Sequence, residues 1–498
     1  MALGGIDFAS ETLVDFGSQR RTASERAVAV LRASIFYGVL VIIGFTAIPY
    51  GTVHPQWQAV FECGVFALTG LWLIESYLSG TLRLSGGLLL APLVALLAFA
   101  HIQTLVTWPD LVGGISLRHA VSADIYETRL FATKLLALIL TLGLLMRFTS
   151  NRRRLCALIY IVIGIAVASA VFGLVRQTAQ RQEGSFILSY LIPGRGYGQF
   201  INRNHFALLM EMSLGLVLGL VAGGGVSRNR LPFYFAAIIT LWTTLVLSNS
   251  RGGIFSMLCQ LIFVALFFSV IRQHGDQHRR KDRGKLERLT SKFAVRLALG
   301  VSLVIAVVLG SVWVGGDSLV SRLENVSGEI SEEEVDSRLG ERRLNIWRAT
   351  WQLIQDHPIA GVGFGAYATV IPKYHDAAGE IVPQQAHNDY LELLASGGLI
   401  GLVLFGWFVI TFIWHVRKRL QSADAFRRAA CLGALTGIFG VAVHSLLDFG
   451  LHITVNALIF VALVVIATVK ASSSRANEIK PANVVEQHSR MSLDAGLR

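Results

Sequence analysis

The chain has 498 residues, 53% hydrophobic and 15% charged, with a mean hydropathy of +0.57. A soluble protein of this length carries about a quarter charged residues, so the composition excludes an ordinary soluble enzyme and indicates a polytopic membrane protein. The net charge of +12 would point to nucleic acid in a soluble chain. Here its distribution follows membrane topology, and no nucleic-acid partner is expected.

Residues 1–32 are polar and mixed, without an A-x-A-like site after a short apolar run, so a cleaved signal is not expected. Twelve apolar windows follow, at roughly 33–50, 59–79, 88–107, 130–147, 155–176, 204–222, 232–249, 252–271, 297–314, 391–415, 430–447 and 453–470. The reading is an all-α protein of about twelve transmembrane helices. Residues 1–32 form a cytoplasmic segment, 33–314 carry helices one to nine, 315–390 form one large periplasmic loop, 391–470 carry the last three helices, and 471–498 form a cytoplasmic tail. An even number of spans puts both termini on one side. Arg20, Arg21, Arg26, Arg152 to Arg154, Arg228, Arg230, the basic stretch 272–296 and Arg417 to Arg419 then share that side, the cytoplasmic one by the positive-inside rule. The basic loop 274–292 is read as a topology signal in contact with anionic membrane lipids.

Cys63, Cys156, Cys259 and Cys431 stand singly in apolar runs, without ligand spacing, and read as small buried hydrophobes. Within the external loop, the acidic stretch 329–336 precedes an amphipathic helix over 338–355. Leu339, Ile346, Ala349, Trp351 and Leu353 would lie against the membrane surface, and Arg338 and Arg342 would share a face. Gly361, Gly363 and Gly365 look like a phosphate loop, but no strand and helix frame them. A tight turn after His357-Pro358 is the plainer reading.

Five arginines map to the outer face: Arg203 in INRNHFALL, Arg251 in LSNSRGG, and Arg338, Arg342 and Arg343. Any one of them could merely snorkel to headgroups. Together, their guanidinium forks suit the oxygens of a diphosphate, and the donor this implies is a polyprenyl-diphosphate whose tail lies in the lipid. His387, in AHNDYLELL just before a span, can be a helix-capping residue or a general base, since an imidazole titrates near neutrality. Asn388, Asp389 and Tyr390 could orient it or bind sugar hydroxyls. His375, Asp376, His387 and Asp389 lack metal-motif spacing beside a cationic cluster, so no metal and no cofactor are expected. His444 and Asp448, at i and i+4, are expected to form an internal polar pair.

NRNHFA at 202–207, SNSRGG at 248–253, R-x3-W at 343–347, HPIAGVGFG at 357–365 and HNDYLELLASGGLIG at 387–401 resemble the O-antigen ligase and polymerase superfamily of bacterial envelope glycosyltransferases. The resemblance covers roughly 200–400. It implies a lipid-sugar-using (GT-C-like) membrane fold in the bacterial inner membrane, with inverting, metal-independent transfer from undecaprenyl diphosphate at the periplasmic face. The acceptor would be a saccharide, lipid A core or another glycan. On the family pattern Arg203, Arg251 and one of Arg338, Arg342 and Arg343 would hold the diphosphate, and His387 would be the loop histidine. Trp347, Asn204 and His205 join Asn388, Asp389 and Tyr390 as candidate substrate contacts. Ligase and polymerase share a donor and differ in acceptor, and both readings stay open. A twelve-helix secondary transporter is the rival from another class; the longest loop being external and the absence of visible repeats count against it.

Overall fold

The computed structural model describes residues 9–82, 85–105, 110–112, 115–117, 120–180, 191, 196–276, 332–375 and 383–470, without the side chains of 9–24, 110–117, 267–276 and 332–342. The ninth predicted span, most of the basic loop and the C-terminal tail lie outside these residues. Among them, twelve long helices run in chain order: α1 (Ala9–Thr46), α2 (Pro55–Ser79), α3 (Gly87–Gln103), α4 (Ile125–Phe148), α5 (Arg152–Ala179), α6 (Arg203–Ala222), α7 (Leu231–Leu247), α8 (Arg251–Asp276), α9 (Glu332–Asp356), α10 (Asp389–Leu420), α11 (Ala425–His444) and α12 (Thr454–Thr468). All but α9 coincide with predicted spans. Eight helical stretches are long and apolar enough to cross a bilayer, and α3, the apolar part of α8 and α12 are shorter. The chain is an integral membrane protein. Large apolar side chains such as Phe233, Val41 and Ile410 stand exposed on its outer surface, as a lipid-facing wall requires.

Among the described residues, one two-stranded element is not helical. Asp110–Val112 pairs antiparallel with Ile115–Leu117, Val112 opposite Ile115. With three residues in each strand, the pair leaves the all-α fold class in place. Cys63 is a second difference: it is exposed on α2, whereas Cys259 and Cys431 are buried as expected, and all four thiols are free.

The centre of the bundle is α6, buried from His205 to Val217 without a break and packed along α11. The backbones touch because both contact stripes are glycine. A Cβ on Gly215 would stand 2.6 Å from the Gly437 nitrogen, and Gly219 meets Gly433 one turn on. Small residues at four-residue spacing on both helices bring membrane helices to this distance. The antiparallel pair sets the start of α6 beside the end of α11.

The other organising feature is a break in α10. Gly398 adopts φ 59°, ψ −158°, and the interrupted helix loses part of its internal bonding. The segment after α9 restores it: Val362 and Gly363 donate N–H to the Ala395 and Ser396 carbonyls, and Leu399 and Ile400 donate to Pro358 and Ile359. Gln103 of α3 closes the joint, its amide reaching Ala360 O at 2.7 Å and Ser396 O at 3.0 Å. Backbone inside a membrane must be satisfied by protein, and this clamp does so. Gly361 is required here: it has φ +66°, and a Cβ would stand 2.6 Å from the Gly397 nitrogen. The predicted turn after His357-Pro358 therefore exists, and it grips α10.

The amphipathic helix exists as α9, but its apolar face also meets protein. Ile346, Ala349, Leu353 and Ile354 are buried, the last three in a cluster with Val362, Tyr367 and Ile371. Trp351, placed by sequence on the same face, is 52% exposed on the outer one.

Candidate active site

The candidate site forms where α6, α8 and α12 begin, α11 ends and α9 leads into α10. Each starting helix here is placed by its local sequence. Asn202 caps α6 through the Asn204 N–H, and Asn388 caps α10 by accepting from Tyr390 and Leu391 at 3.0 and 3.1 Å. The Asn388 amide also donates to Leu446 O at 3.0 Å, which ties the start of α10 to the turn after α11.

His387 precedes that cap with φ +50°, a left-handed backbone that a non-glycine residue adopts at a cost of roughly 1–2 kcal/mol. The twist turns its ring toward the α11–α12 loop. Nδ1 lies 3.2 Å from Asp448 Oδ1, and the ring sits edge-on to Phe449 at 4.9 Å. His205 meets the same Phe449 ring, also at 4.9 Å, so one phenyl separates the two imidazoles. The Asp448 side chain is 2% exposed and that of His387 31%, so a buried acid holds a histidine that solvent can reach. Burial by itself would raise the Asp448 carboxyl. The His387 hydrogen bond, with the His205 and His387 imidazoles and the Arg343 guanidinium nearby, outweighs it and holds the carboxyl below the usual range. An ionised Asp448 accepts from Nδ1–H and leaves Nε2 of His387 with its lone pair, the tautomer a proton acceptor needs.

The predicted His444–Asp448 pair does not form. α11 stops at His444, and although the Asp448 N–H still donates to His444 O at 3.1 Å, the Asp448 carboxyl is turned to His387. His444 instead donates to Glu211 of α6 at 2.8 Å, deep among α6, α8 and α11, with Gln260 bonded to the Glu211 and Thr436 carbonyls. Glu211 was missed by the sequence reading, although an acid inside an apolar helix is itself a signal.

Arg203 and Arg251 open α6 and α8, and these helix starts are joined by Ser250 Oγ donating to Asn204 Oδ1 at 2.8 Å. Two helix N-termini with their arginines thus lie side by side, a setting that favours an anion. Arg343 is half-buried on α9, and its charge bears on Asp448. Arg338 and Arg342 lie on the same helix, and their side chains are outside the described residues. Trp347 donates Nε1–H to Ala386 O at 3.0 Å, bracing the residue before His387. Asp389 accepts from Ser445 at 2.7 Å, and Tyr390 donates to Ala442 O at 2.9 Å. His452 lies 3.6 Å from Asp389 and 3.3 Å from Glu392. The polar atoms of Asn388, Asp389, Tyr390 and Trp347 are thus engaged in joining α9, α10 and α11 around His387. Among the described residues, no group of three or more His, Cys, Asp or Glu side chains could hold a metal ion.

No curated protein matches the chain. Residues 236–406, about a third of its length, match the family described as O-antigen ligase. Arg251, Arg343, His387 and the clamp on α10 fall inside that match, while Arg203, His205 and Asp448 reach the site from outside it. That similarity supports assigning this stretch to the O-antigen ligase and polymerase family.

Proposed function

We propose that the chain is an inverting glycosyltransferase of the ligase type, moving a glycan from an undecaprenyl-diphosphate carrier onto an acceptor hydroxyl at the periplasmic face of the bacterial inner membrane. The observation that carries this is the His387–Asp448 contact beside the arginine-bearing starts of α6 and α8. Nε2 of His387 takes the proton of the acceptor hydroxyl. The freed oxygen attacks the anomeric carbon from the face opposite the carrier, a new C–O bond forms, and the bond to the diphosphate breaks. The electron pair leaves with the diphosphate, where Arg203, Arg251 and an arginine of the 338–343 cluster meet it. Guanidinium groups, rather than a metal ion or cofactor, take up the developing charge.

Asp448 fixes the tautomer, and Asn388, Asp389, Tyr390 and Trp347 act as positioning residues. Asn204 and His205 line the start of α6 toward the acceptor. The opposite helix ends carry Arg147, Arg152 to Arg154, Arg228, Arg230 and Arg417 to Arg419, which supports a cytoplasmic placement of that end and a periplasmic one for His387.

The test is the glycan profile of a deletion strain. Full-length polymer left on the carrier identifies a ligase, and single repeats would identify a polymerase using the same donor. Wild-type protein restores the product, and His387→Ala at equal membrane abundance does not. Near-normal product from His387→Ala rejects the base assignment.

A further inference from the structure

Three guanidinium groups gather at the end of the bundle opposite His387, where α1, α2, α4 and α5 meet. Arg32 lies on α1, Arg147 in the last turn of α4 and Arg154 in the first turn of α5. Fully buried Glu75 of α2 accepts from Arg32 Nε at 2.7 Å and lies 3.4 Å from an Arg147 terminal nitrogen. Arg154 donates to Phe148 O at 2.8 Å, and its guanidinium lies 5.1 Å from the Phe36 ring centre. These bonds hold the three forks in place and use only some of their five N–H donors each. Arg147 is 12% exposed, and its Nε is buried without a protein partner. A cation placed only to set topology would stand in water, as Arg32 partly does and Arg147 does not. These three surround a hole.

That hole, of about 210 Å³, is lined by Arg32, Arg147, Arg154, Thr81, Phe148 and Ser150, with no carboxylate among the lining groups. A wider cavity of about 500 Å³ shares Arg32 and Arg154 and adds Val28, Ala29, Leu78, Ser79 and the exposed Glu25 to its lining. A single buried carboxylate cannot balance three guanidiniums, and the unspent donors suit tetrahedral oxygens. The ends of α2 and α4 and the start of α5 converge here beside α1, which places the cluster at headgroup depth, with apolar wall beside it.

We propose that this is a binding site for the phosphate of an anionic membrane phospholipid, the phosphate in the smaller cavity and the glycerol and first acyl carbons along the wider one. Basic pockets between transmembrane helices recognise anionic headgroups in this way. A zwitterionic lipid would bring its own cation against the arginines and is selected against. The site is separate from the histidine end of the bundle and does not depend on the glycosyl-transfer reading.

The test uses the full chain in a neutral detergent, with phosphatidylglycerol or phosphatidylcholine added at equal concentration and bound lipid counted by native mass spectrometry. Wild-type protein should retain phosphatidylglycerol about tenfold over phosphatidylcholine, the discrimination expected of one charge-assisted bond. Arg154→Gln should remove most of that preference. Arg32→Gln combined with Glu75→Gln, which deletes a buried charge together with its partner, should lower it as well while leaving the helical circular dichroism unchanged. Equal retention of the two lipids by wild type, or a full preference in both variants, would overturn the proposal. So would binding of inorganic phosphate with no lipid retained.

Discussion

Asp448→Asn tests the centre of the proposed mechanism. The side chain is nearly isosteric and sits 2% exposed against Nδ1 of His387, so the change alters charge and hydrogen-bond direction with little change in volume. An amide can donate to Nδ1, which moves the imidazole proton to Nε2 and removes the lone pair that would accept the acceptor hydroxyl's proton. The expected loss is the whole contribution of a general base, about 10² to 10⁴-fold in transfer rate. Stability should fall by about 1.5–3 kcal/mol for the lost charge-assisted bond. Because the two residues act as a unit, Asp448→Asn with His387→Ala should be little slower than His387→Ala alone. The assay is single-turnover transfer of a labelled lipid-linked glycan by purified protein, with thermal unfolding followed in parallel. Full activity in Asp448→Asn, or losses that multiply in the double variant, would refute the pairing as the source of catalysis.

Arg251→Lys keeps the charge and loses the planar fork, and should slow transfer at least about tenfold; survival of the wild-type rate would reject a bidentate diphosphate contact there. Gly361→Ala and Gly80→Ala form a matched pair, since both glycines have φ near +65° but only Gly361 has backbone against its Cβ position. Gly80→Ala should cost about 1–2 kcal/mol of stability for the left-handed backbone alone, and Gly361→Ala distinctly more with loss of transfer; equal melting temperatures would show that the clamp on α10 carries little. Glu211→Ala strips a fully buried partner from His444 and should destabilise by about 3–5 kcal/mol; an unchanged melting temperature in detergent would count against a structural role for the pair. Asp448 is held below the usual carboxylate range in the fold, whereas in the unfolded chain it takes up a proton near pH 4. The unfolded state then binds more protons, so its contribution, fully present at neutral pH, is lost as pH falls through and below about 4. The gap in melting temperature between wild type and Asp448→Asn should narrow over that window, and a constant gap would contradict it.

Much of the site was legible in the order of residues. Arg203, Arg251 and His387 stand at the boundaries of apolar windows, so span counting alone puts them at one end of a bundle, where the structure has the starts of α6, α8 and α10. The capping asparagines at 202 and 388 mark where α6 and α10 begin. Asp448 was singled out but given the wrong partner, because helical spacing was carried past the point where α11 ends.

Hydrophobic length and helix caps are local quantities, set by residues within one or two turns, and for that reason the linear chain alone determined a polytopic helical bundle and the stretch where its chemistry gathers. Partner choice is not local. His387 reaches Asp448 across 61 positions and His444 reaches Glu211 across 233, and both meetings depend on glycine faces letting α6 and α11 touch and on a left-handed residue turning one imidazole. Those contacts arise from packing between distant segments, so only the folded bundle could decide which acid stands behind which histidine.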